Sequence, residues 1–361
     1  FVPANIEELR PYEPGRPIEE IERELGISGV VKVASNENPL GPSPLALAAA
    51  QRALRDVHRY PDGGAYRLRH KLAERLGVSA EEIILGAGSN DLIDLLVRTF
   101  CTRGVHEVVT HRLAFVMYRA ACLSNGIPLH SSDVTPELAC DVDALLATIS
   151  TTTRIVFLPN PNNPTGAYVA RRDFERLVEG VPPHVLLVVD EAYYEYAVVR
   201  DDYPVAETYR KKRPMIVTLR TFSKAYGLAS LRVGYAIADK MIVAYLNRVR
   251  LPFNVSSVAQ EAALAALDDH EHVARSRAAN DAGMAVLSAG LNRLGIKVFP
   301  SAGNFVLVDF GRAAAPIVDA MLRHGVIIRP LGQVLDRHAR VSVGGPAEVQ
   351  KTLGALANVL G

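Results

Sequence analysis

Apolar residues follow two rhythms along this chain. Short continuous runs have the length and β-branched content of buried strands: Ile83-Ile84-Leu85, Val108-Val109, Ile155 to Leu158, Val185 to Val189, Ile216 to Leu219 and Val233 to Ile237. Between them lie stretches with helical spacing, Leu45 to about Val57, Ala65 to Leu76, Leu92 to Phe100, Met117 to Leu123 and Arg171 to Val178. Ser43 and Pro44 supply an N-cap and a first-position proline, and Gly77 supplies a stop. Strand and helix signals alternate to about residue 250. This predicts a mostly parallel, covered sheet whose ligands collect at the carboxyl ends of its strands.

After Pro252-Phe253-Asn254 the alternation ends, and two long alanine-rich helices are expected over Val258 to Leu267 and His272 to Leu294. They read as a connector into an α+β unit. Its strands are Lys297 to Phe299, Phe305 to Asp309, Val326 to Ile328 and Arg340 to Val343, and its helices Ile317 to His324 and Ala347 to Leu360. The first forty residues read as an arm, a short helix over Ile18 to Leu25 and a loop. The expected fold is α/β, with a large domain over residues 41–255 and a smaller α+β domain over 256–361, joined by the arm of residues 1–40.

Composition narrows the partners. With 40 basic and 39 acidic residues in 361, the net charge of +1 gives no global pull toward nucleic acid or an anionic membrane. The apolar runs are far too short for a membrane span. Cys101, Cys122 and Cys140 are odd in number and widely spaced, which disfavours a disulfide framework and a thiolate metal site and points to a reducing, cytoplasmic setting. His270-Glu271-His272 has no third ligand nearby and reads as a solvated face, so no metal is expected. Arg210-Lys211-Lys212-Arg213 reads as an exposed loop.

The candidate chemistry sits at strand ends. Gly86-Ala87-Gly88-Ser89-Asn90-Asp91 offers backbone N–H groups and a helix N-terminus to an anion, or is an ordinary capped turn. Asp91 stands where a dinucleotide fingerprint needs its third glycine, which argues against a nicotinamide enzyme. Asp190 ends the most apolar strand. A carboxylate there either caps a turn or meets a cation, such as a protonated pyridine nitrogen. Asn160 to Gly166 holds two prolines that stiffen its asparagines. Lys224 follows a strand, among the hydroxyls of Thr221 and Ser223 and ahead of Arg232. It is either a solvated loop lysine or an amine bonded to a phosphate-bearing aldehyde cofactor. Arg232 and Arg340 are planar forks suited to a phosphate and a carboxylate.

In this order and spacing, Gly86 to Asp91, Asn160 to Gly166, Asp190 to Tyr193 and Thr221 to Arg232 resemble the fold-type I, pyridoxal 5′-phosphate-dependent aminotransferases. More narrowly the chain resembles histidinol-phosphate aminotransferases, through Leu9 to Tyr12, Ser35 to Gly41, Arg59 to Asp62, Pro252 to Val255, Gly303 to Phe305 and Gly325 to Arg329. The match covers essentially the whole chain. It implies a mostly parallel seven-stranded sheet in the large domain, with Lys224 as covalent anchor and base and Asp190 against the ring nitrogen. Asn163 and Tyr193 would meet the phenolic oxygen, and Phe115 would stack on the ring. The backbone of Ala87 and Gly88, with Ser89, Thr221, Ser223 and Arg232, would hold the phosphate. Tyr60 would reach the neighbouring subunit's cofactor, which implies a homodimer with shared sites. Arg340 would bind the donor's α-carboxylate, with Asn38 also at the substrate and Tyr12 and Arg329 near its distal phosphate.

Asp91, Ser230 and His111-Arg112-Leu113 depart from the family pattern. So do Leu335 to Ala339 and Gly344-Gly345, which flank Arg340 and bear on substrate choice. The implied reaction is ping-pong transfer from an amino donor, glutamate, to a 2-oxo acid or phosphorylated ketone, here imidazole acetol phosphate, in histidine biosynthesis. An aromatic or broad-range aminotransferase and a decarboxylase of a phosphorylated amino acid are the alternatives. A non-enzymatic relative would lack the lysine, and Lys224 is present.

Overall fold

The computed structural model describes residues 1–11 and 15–361, so Tyr12 lies outside the described residues. The strands are β1 (Val31–Lys32), β2 (Ile83–Gly86), β3 (Glu107–His111), β4 (Leu129–Ser132), β5 (Thr153–Pro159), β6 (Leu186–Asp190), β7 (Ile216–Thr221), β8 (Gly234–Ile237), β9 (Lys297–Val298), β10 (Phe305–Asp309), β11 (Val326–Ile327), β12 (Arg329–Pro330) and β13 (His338–Ser342). Seven of them form one sheet in the order β2-β8-β7-β6-β5-β3-β4. Neighbours from β7 to β4 pair in parallel, and β8 alone runs antiparallel to both its neighbours. Every residue of β6 and β7 is buried, as expected when helices cover both faces of a parallel sheet and the strands read as continuous apolar runs.

The antiparallel strand β8 decides where the chemistry gathers. Its amino end lies on the same edge as the carboxyl ends of the other six, with Gly234 registered against both Gly86 and Thr221. Arg232, expected past a strand's carboxyl end, therefore sits just ahead of β8 and still faces the common edge. A Cβ on Gly234 would come within 2.8 Å of the Ser89 nitrogen and 2.9 Å of the Arg220 carbonyl, so only glycine lets the loops converge there.

A second, antiparallel sheet has the order β12-β13-β10-β9, and β1 pairs in parallel with β11, tying the N-terminal segment to this C-terminal unit. The helix Ser257–Asp268, expected as part of a connector, instead packs on Pro44–Ala53. Its Ala259, Ala262, Ala263 and Ala266 share a core with Ala46 and Phe222, because small side chains let the two helices approach closely. The helix His270–Arg293, about 36 Å long, puts Val273 in that core and Leu287 and Leu291 in the core of the second sheet.

Besides the short elements β1, β12, Ala4–Glu7 and Tyr194–Ala197, the residue pattern did not reveal β4 and the helices Val142–Ala147 and Lys240–Val249. β4 is an edge strand whose Leu-His-Ser-Ser carries a single apolar residue. The helix after β2 begins at Ser89 rather than at Leu92. Two surface readings are corrected. Arg213 is buried and donates to the carbonyls of Val181, Pro182 and Val185, and Arg210 binds Glu82 and the Ala238 carbonyl, leaving only Lys211 and Lys212 exposed. His272 is buried, whereas His270 and Glu271 are exposed. Among the described residues no cluster of His, Cys, Asp and Glu could hold a metal, and no helix is long and apolar enough to cross a membrane.

Candidate active site

A cavity of about 270 Å³ opens at the carboxyl edge of the seven-stranded sheet, roofed by residues of the second unit. Lys224, Asp190, Tyr193, Asn163, Phe115, Ser89, Thr221, Ser223, Arg232, Arg329 and Arg340 all line it.

Lys224 follows β7 and stands on the cavity floor, enclosed by protein on every side but the cavity. Its amine lies 3.3 Å from the Asn36 carbonyl and 3.4 Å from the Ser35 carbonyl, long contacts that hold it loosely. Burial, with Arg340 and Arg232 adding to it and Glu37 and Asp190 opposing, pushes its pKa down to about 8. Asp190 ends β6 and is 4 % exposed. Its carboxylate accepts the Tyr118 hydroxyl at 3.0 Å and the Ala192 N–H at 3.2 Å. Burial still dominates these bonds and raises its pKa to about 6, so the site favours a cationic partner there.

Tyr118 escaped the sequence reading because it lies on the apolar face of the helix Val116–Ser124, stacked on Phe157 at 4.5 Å. Phe115 precedes that helix and meets Tyr118 edge-on at 5.9 Å.

The two asparagine-proline steps have different duties. Asn160 is buried, and its amide is consumed by the backbone of Val169 at 2.7 and 3.3 Å. Asn163 lines the cavity, and its Oδ1 accepts from Arg340 Nη1 at 2.6 Å, which turns its Nδ2 the opposite way. The other fork nitrogen of Arg340 holds the Ala34 carbonyl. Tyr193 Oη accepts from Asn36 Nδ2 at 2.8 Å.

The anion end differs from expectation in its donors. The Ala87 N–H is taken by Asp91 Oδ2 at 2.9 Å and the Gly88 N–H by the Gly86 carbonyl at 2.7 Å, so neither amide is presented to a ligand. Ser89 and Asn90, the first residues of the helix Ser89–Phe100, line the cavity instead, and amides of a first helical turn have no partner within the helix. Asp91, where the family pattern has Glu, buttresses the loop together with Asn254, which donates to it at 3.0 Å. Arg232, in the left-handed region at φ +52°, reaches Ser223 Oγ at 3.3 Å, and Thr221 donates to the same oxygen at 3.0 Å. Gly88 has φ +81°, and a Cβ there would overlap the Arg232 guanidinium. Gly88→Ala should displace that guanidinium and weaken binding of a phosphate-bearing cofactor such as pyridoxal phosphate by roughly tenfold or more while the fold persists, on the scale of one charged hydrogen bond. Absorbance titration of the apo-protein with the cofactor checks this.

Two expected residues lie elsewhere. Asn38 donates to the Ala225 carbonyl at 2.9 Å and to Ser276 Oγ at 2.8 Å, bracing the segment after Lys224 rather than lining the cavity. Tyr60 is 83 % exposed and stacks on Phe253 at 4.8 Å, outside its own chain's cavity. Tyr12 is outside the described residues. Behind the site, Arg220 is buried in β7, bonded to Glu191 at 2.9 Å and to Glu207, with its guanidinium 3.5 Å from the Tyr194 ring centre. This ion network fixes the residue next to Asp190.

The chain as a whole is similar to known proteins. Residues 28–356 match the family described as aminotransferase class I and II. A histidinol-phosphate aminotransferase 2 from Pseudomonas aeruginosa is 48 % identical over 98 % of this chain and 96 % of its own length. A histidinol-phosphate aminotransferase from an Anaeromyxobacter species is 48 % identical over 100 % and 99 %. Among solved structures, a Sinorhizobium meliloti histidinol-phosphate aminotransferase in complex with pyridoxal-5′-phosphate superposes with a TM-score of 0.90 at 30 % identity, covering 99 % of this chain and 96 % of that one.

Proposed function

The chain belongs to the class I and II aminotransferases, and within them to the histidinol-phosphate aminotransferases; on that premise we propose that it exchanges the amino group of histidinol phosphate with 2-oxoglutarate, reversibly, using pyridoxal 5′-phosphate. The observation that carries the reading is one cavity joining Lys224 and Asp190 to two guanidinium groups on its substrate side, Arg340 and Arg329. A small molecule with anionic groups at both ends suits such a pair.

The residues fit the cofactor on physical grounds. A buried carboxylate whose pKa is raised to about 6 gains by facing a protonated ring nitrogen, and Lys224 is held only by long contacts to two carbonyls. Ser89, Thr221, Ser223 and Arg232 would hold the phosphate, and Asn163 and Tyr193 the phenolic oxygen. When bound, the cofactor supplies an electron sink for the carbanion formed on the substrate's α-carbon.

Lys224 Nζ takes the α-proton of the amino donor and returns it one position along. A base must be neutral, and with its pKa near 8 about a tenth of the amine is neutral at pH 7. Asp190 holds the proton on the ring nitrogen, and Tyr118 and the Ala192 amide hold Asp190. Arg340 orients the α-carboxylate and keeps the Asn163 amide turned toward the ring side. Phe115 excludes water from one face.

On this reading residues 41–255, with the helix Ser257–Asp268 packed on them, bind the cofactor, while residues 1–40 and the rest of 256–361 form the arm and the smaller domain that carries Arg329 and Arg340. The protein acts as a homodimer in the cytoplasm, with Tyr60 serving the partner subunit's site. Exposed Leu54, Val57, Tyr60 and Phe253 support an interface, and three free cysteines support a reducing compartment. The decisive experiment loads the protein with cofactor and offers histidinol phosphate, glutamate, phenylalanine and tyrosine in turn. Conversion to the pyridoxamine form, followed by absorbance, should be fastest with histidinol phosphate. A strong response to phenylalanine with none to histidinol phosphate would replace the substrate and leave the aminotransferase chemistry intact.

A further inference from the structure

Asn36 stands where the N-terminal segment, the loops of the large sheet and the second unit meet beside Lys224. It is 1 % exposed and adopts φ +53°, a left-handed conformation that Asn tolerates better than most residues. All its polar groups are engaged. Its N–H donates to Ser342 Oγ at 2.8 Å, and the Ser342 hydroxyl returns its proton to Asn36 Oδ1 at 2.7 Å. Its Nδ2 donates to Tyr193 Oη at 2.8 Å. Its carbonyl accepts from Asn304 Nδ2 at 3.1 Å and from Lys224 Nζ at 3.3 Å.

These bonds fix a direction. Because the single hydroxyl proton of Ser342 goes to Oδ1, the amide must present its NH₂ side to Tyr193. An NH₂ group only donates, so Tyr193 Oη must accept, and the tyrosine's own proton must point away from Asn36. We infer that Asn36 is a positioning residue: oriented by Ser342 of β13, it makes Tyr193 a donor toward the cofactor's phenolic oxygen. The inference rests on the cofactor reading above. Its consequence is that the second unit, through Ser342 and Asn304, governs the polarity of a hydrogen bond made at the large sheet.

A hydrogen bond donated to the phenolic oxygen stabilises its uncompensated negative charge and so lowers the pH at which the lysine-bound cofactor loses its proton. The other charged groups facing this cavity are Lys224, Asp190, Glu37, Arg232, Arg329 and Arg340, and none is altered in the test. The test is a pH titration of the near-visible absorbance band of the cofactor-loaded protein. Asn36→Gly keeps the left-handed backbone and removes the amide. It should raise the midpoint by about one pH unit, a tenfold change in the proton equilibrium. Ser342→Ala leaves Asn36 in place but removes the proton that orients it, and should shift the midpoint the same way by less. It also carries the test alone if the glycine variant does not fold. In a Tyr193→Phe background, Asn36→Gly should add almost nothing, since it acts through that hydroxyl.

Wild-type midpoints in both single variants, or full additivity with Tyr193→Phe, would overturn the inference and leave the cofactor reading standing. Absence of any cofactor band in the wild type would remove both.

Discussion

Lys224→Ala should lose turnover with amino donors by roughly 10⁴-fold or more, because one substitution removes both the proposed covalent anchor and the proposed base. The substituted protein should still take up cofactor through Arg232, Ser223 and the start of the helix at Ser89, but without the absorbance of a lysine-bound form. Folding should not suffer. The amine's pKa falls from 10.5 to about 8 on folding, so the unfolded chain binds more protons between those values. The lysine therefore lowers stability as the pH falls from above 10 to 8, and the penalty persists below that. Its removal should leave the melting temperature of the apo-protein at pH 7 equal to or above that of the wild type. Full turnover by the alanine protein would sink the assignment of Lys224.

The second large effect concerns Asp190, where catalysis and apo-stability should move in opposite directions. Asp190→Asn removes the charge proposed to keep the ring nitrogen protonated, and turnover should drop by about 10² to 10⁴-fold, on the scale of a lost catalytic group. The stability sign comes from the raised pKa of about 6 against an ordinary 3.8. For a carboxyl raised on folding, the stability contribution is complete below about pH 4 and is lost as the pH rises through about 6. At pH 8 the wild-type apo-protein thus carries a penalty of up to about 3 kcal/mol, from a shift of roughly two pH units. Asparagine keeps an oxygen for Tyr118 or the Ala192 amide and carries no charge. Its apo-protein should melt higher than the wild type at pH 8, and the gain should vanish near pH 4. Thermal melts across that range decide it. A variant less stable at pH 8 would mean that Asp190 is not burdened by burial in the apo-protein.

What the sequence made legible follows from how each feature is encoded. Lys224, Asp190 and Asn163 sit directly past short apolar runs, so the strand pattern itself pointed to them. The seven-stranded sheet was readable from the same runs except at β4, where an edge position frees the residues from being apolar. Arg220 was readable in principle, since a charge inside the run Ile216 to Thr221 needs a buried carboxylate, and Glu191 supplies it. Asn36 was not, because its partners Ser342 and Asn304 lie 306 and 268 positions away. Tyr118 was hidden for a different reason: helical spacing does not tell a core tyrosine from one that holds a catalytic carboxylate. The internal partners of the Ala87 and Gly88 amides were not readable either, because loop amides reveal their partners only in three dimensions.

The antiparallel placement of β8 has an evolutionary consequence. Since β7 and β8 are neighbours joined by a single connection, Lys224 and Arg232 travel on one uninterrupted segment whose ends are clamped in register at Thr221 and Gly234. On the proposed reading, covalent attachment and ionic grip would thus be inherited as one cassette, and an insertion or recombination breakpoint inside it would separate them. Arg329 and Arg340 ride on β12 and β13 of the other sheet, outside that cassette. Substrate choice can drift, or be redesigned by exchanging that sheet, while the cofactor machinery is passed on unchanged.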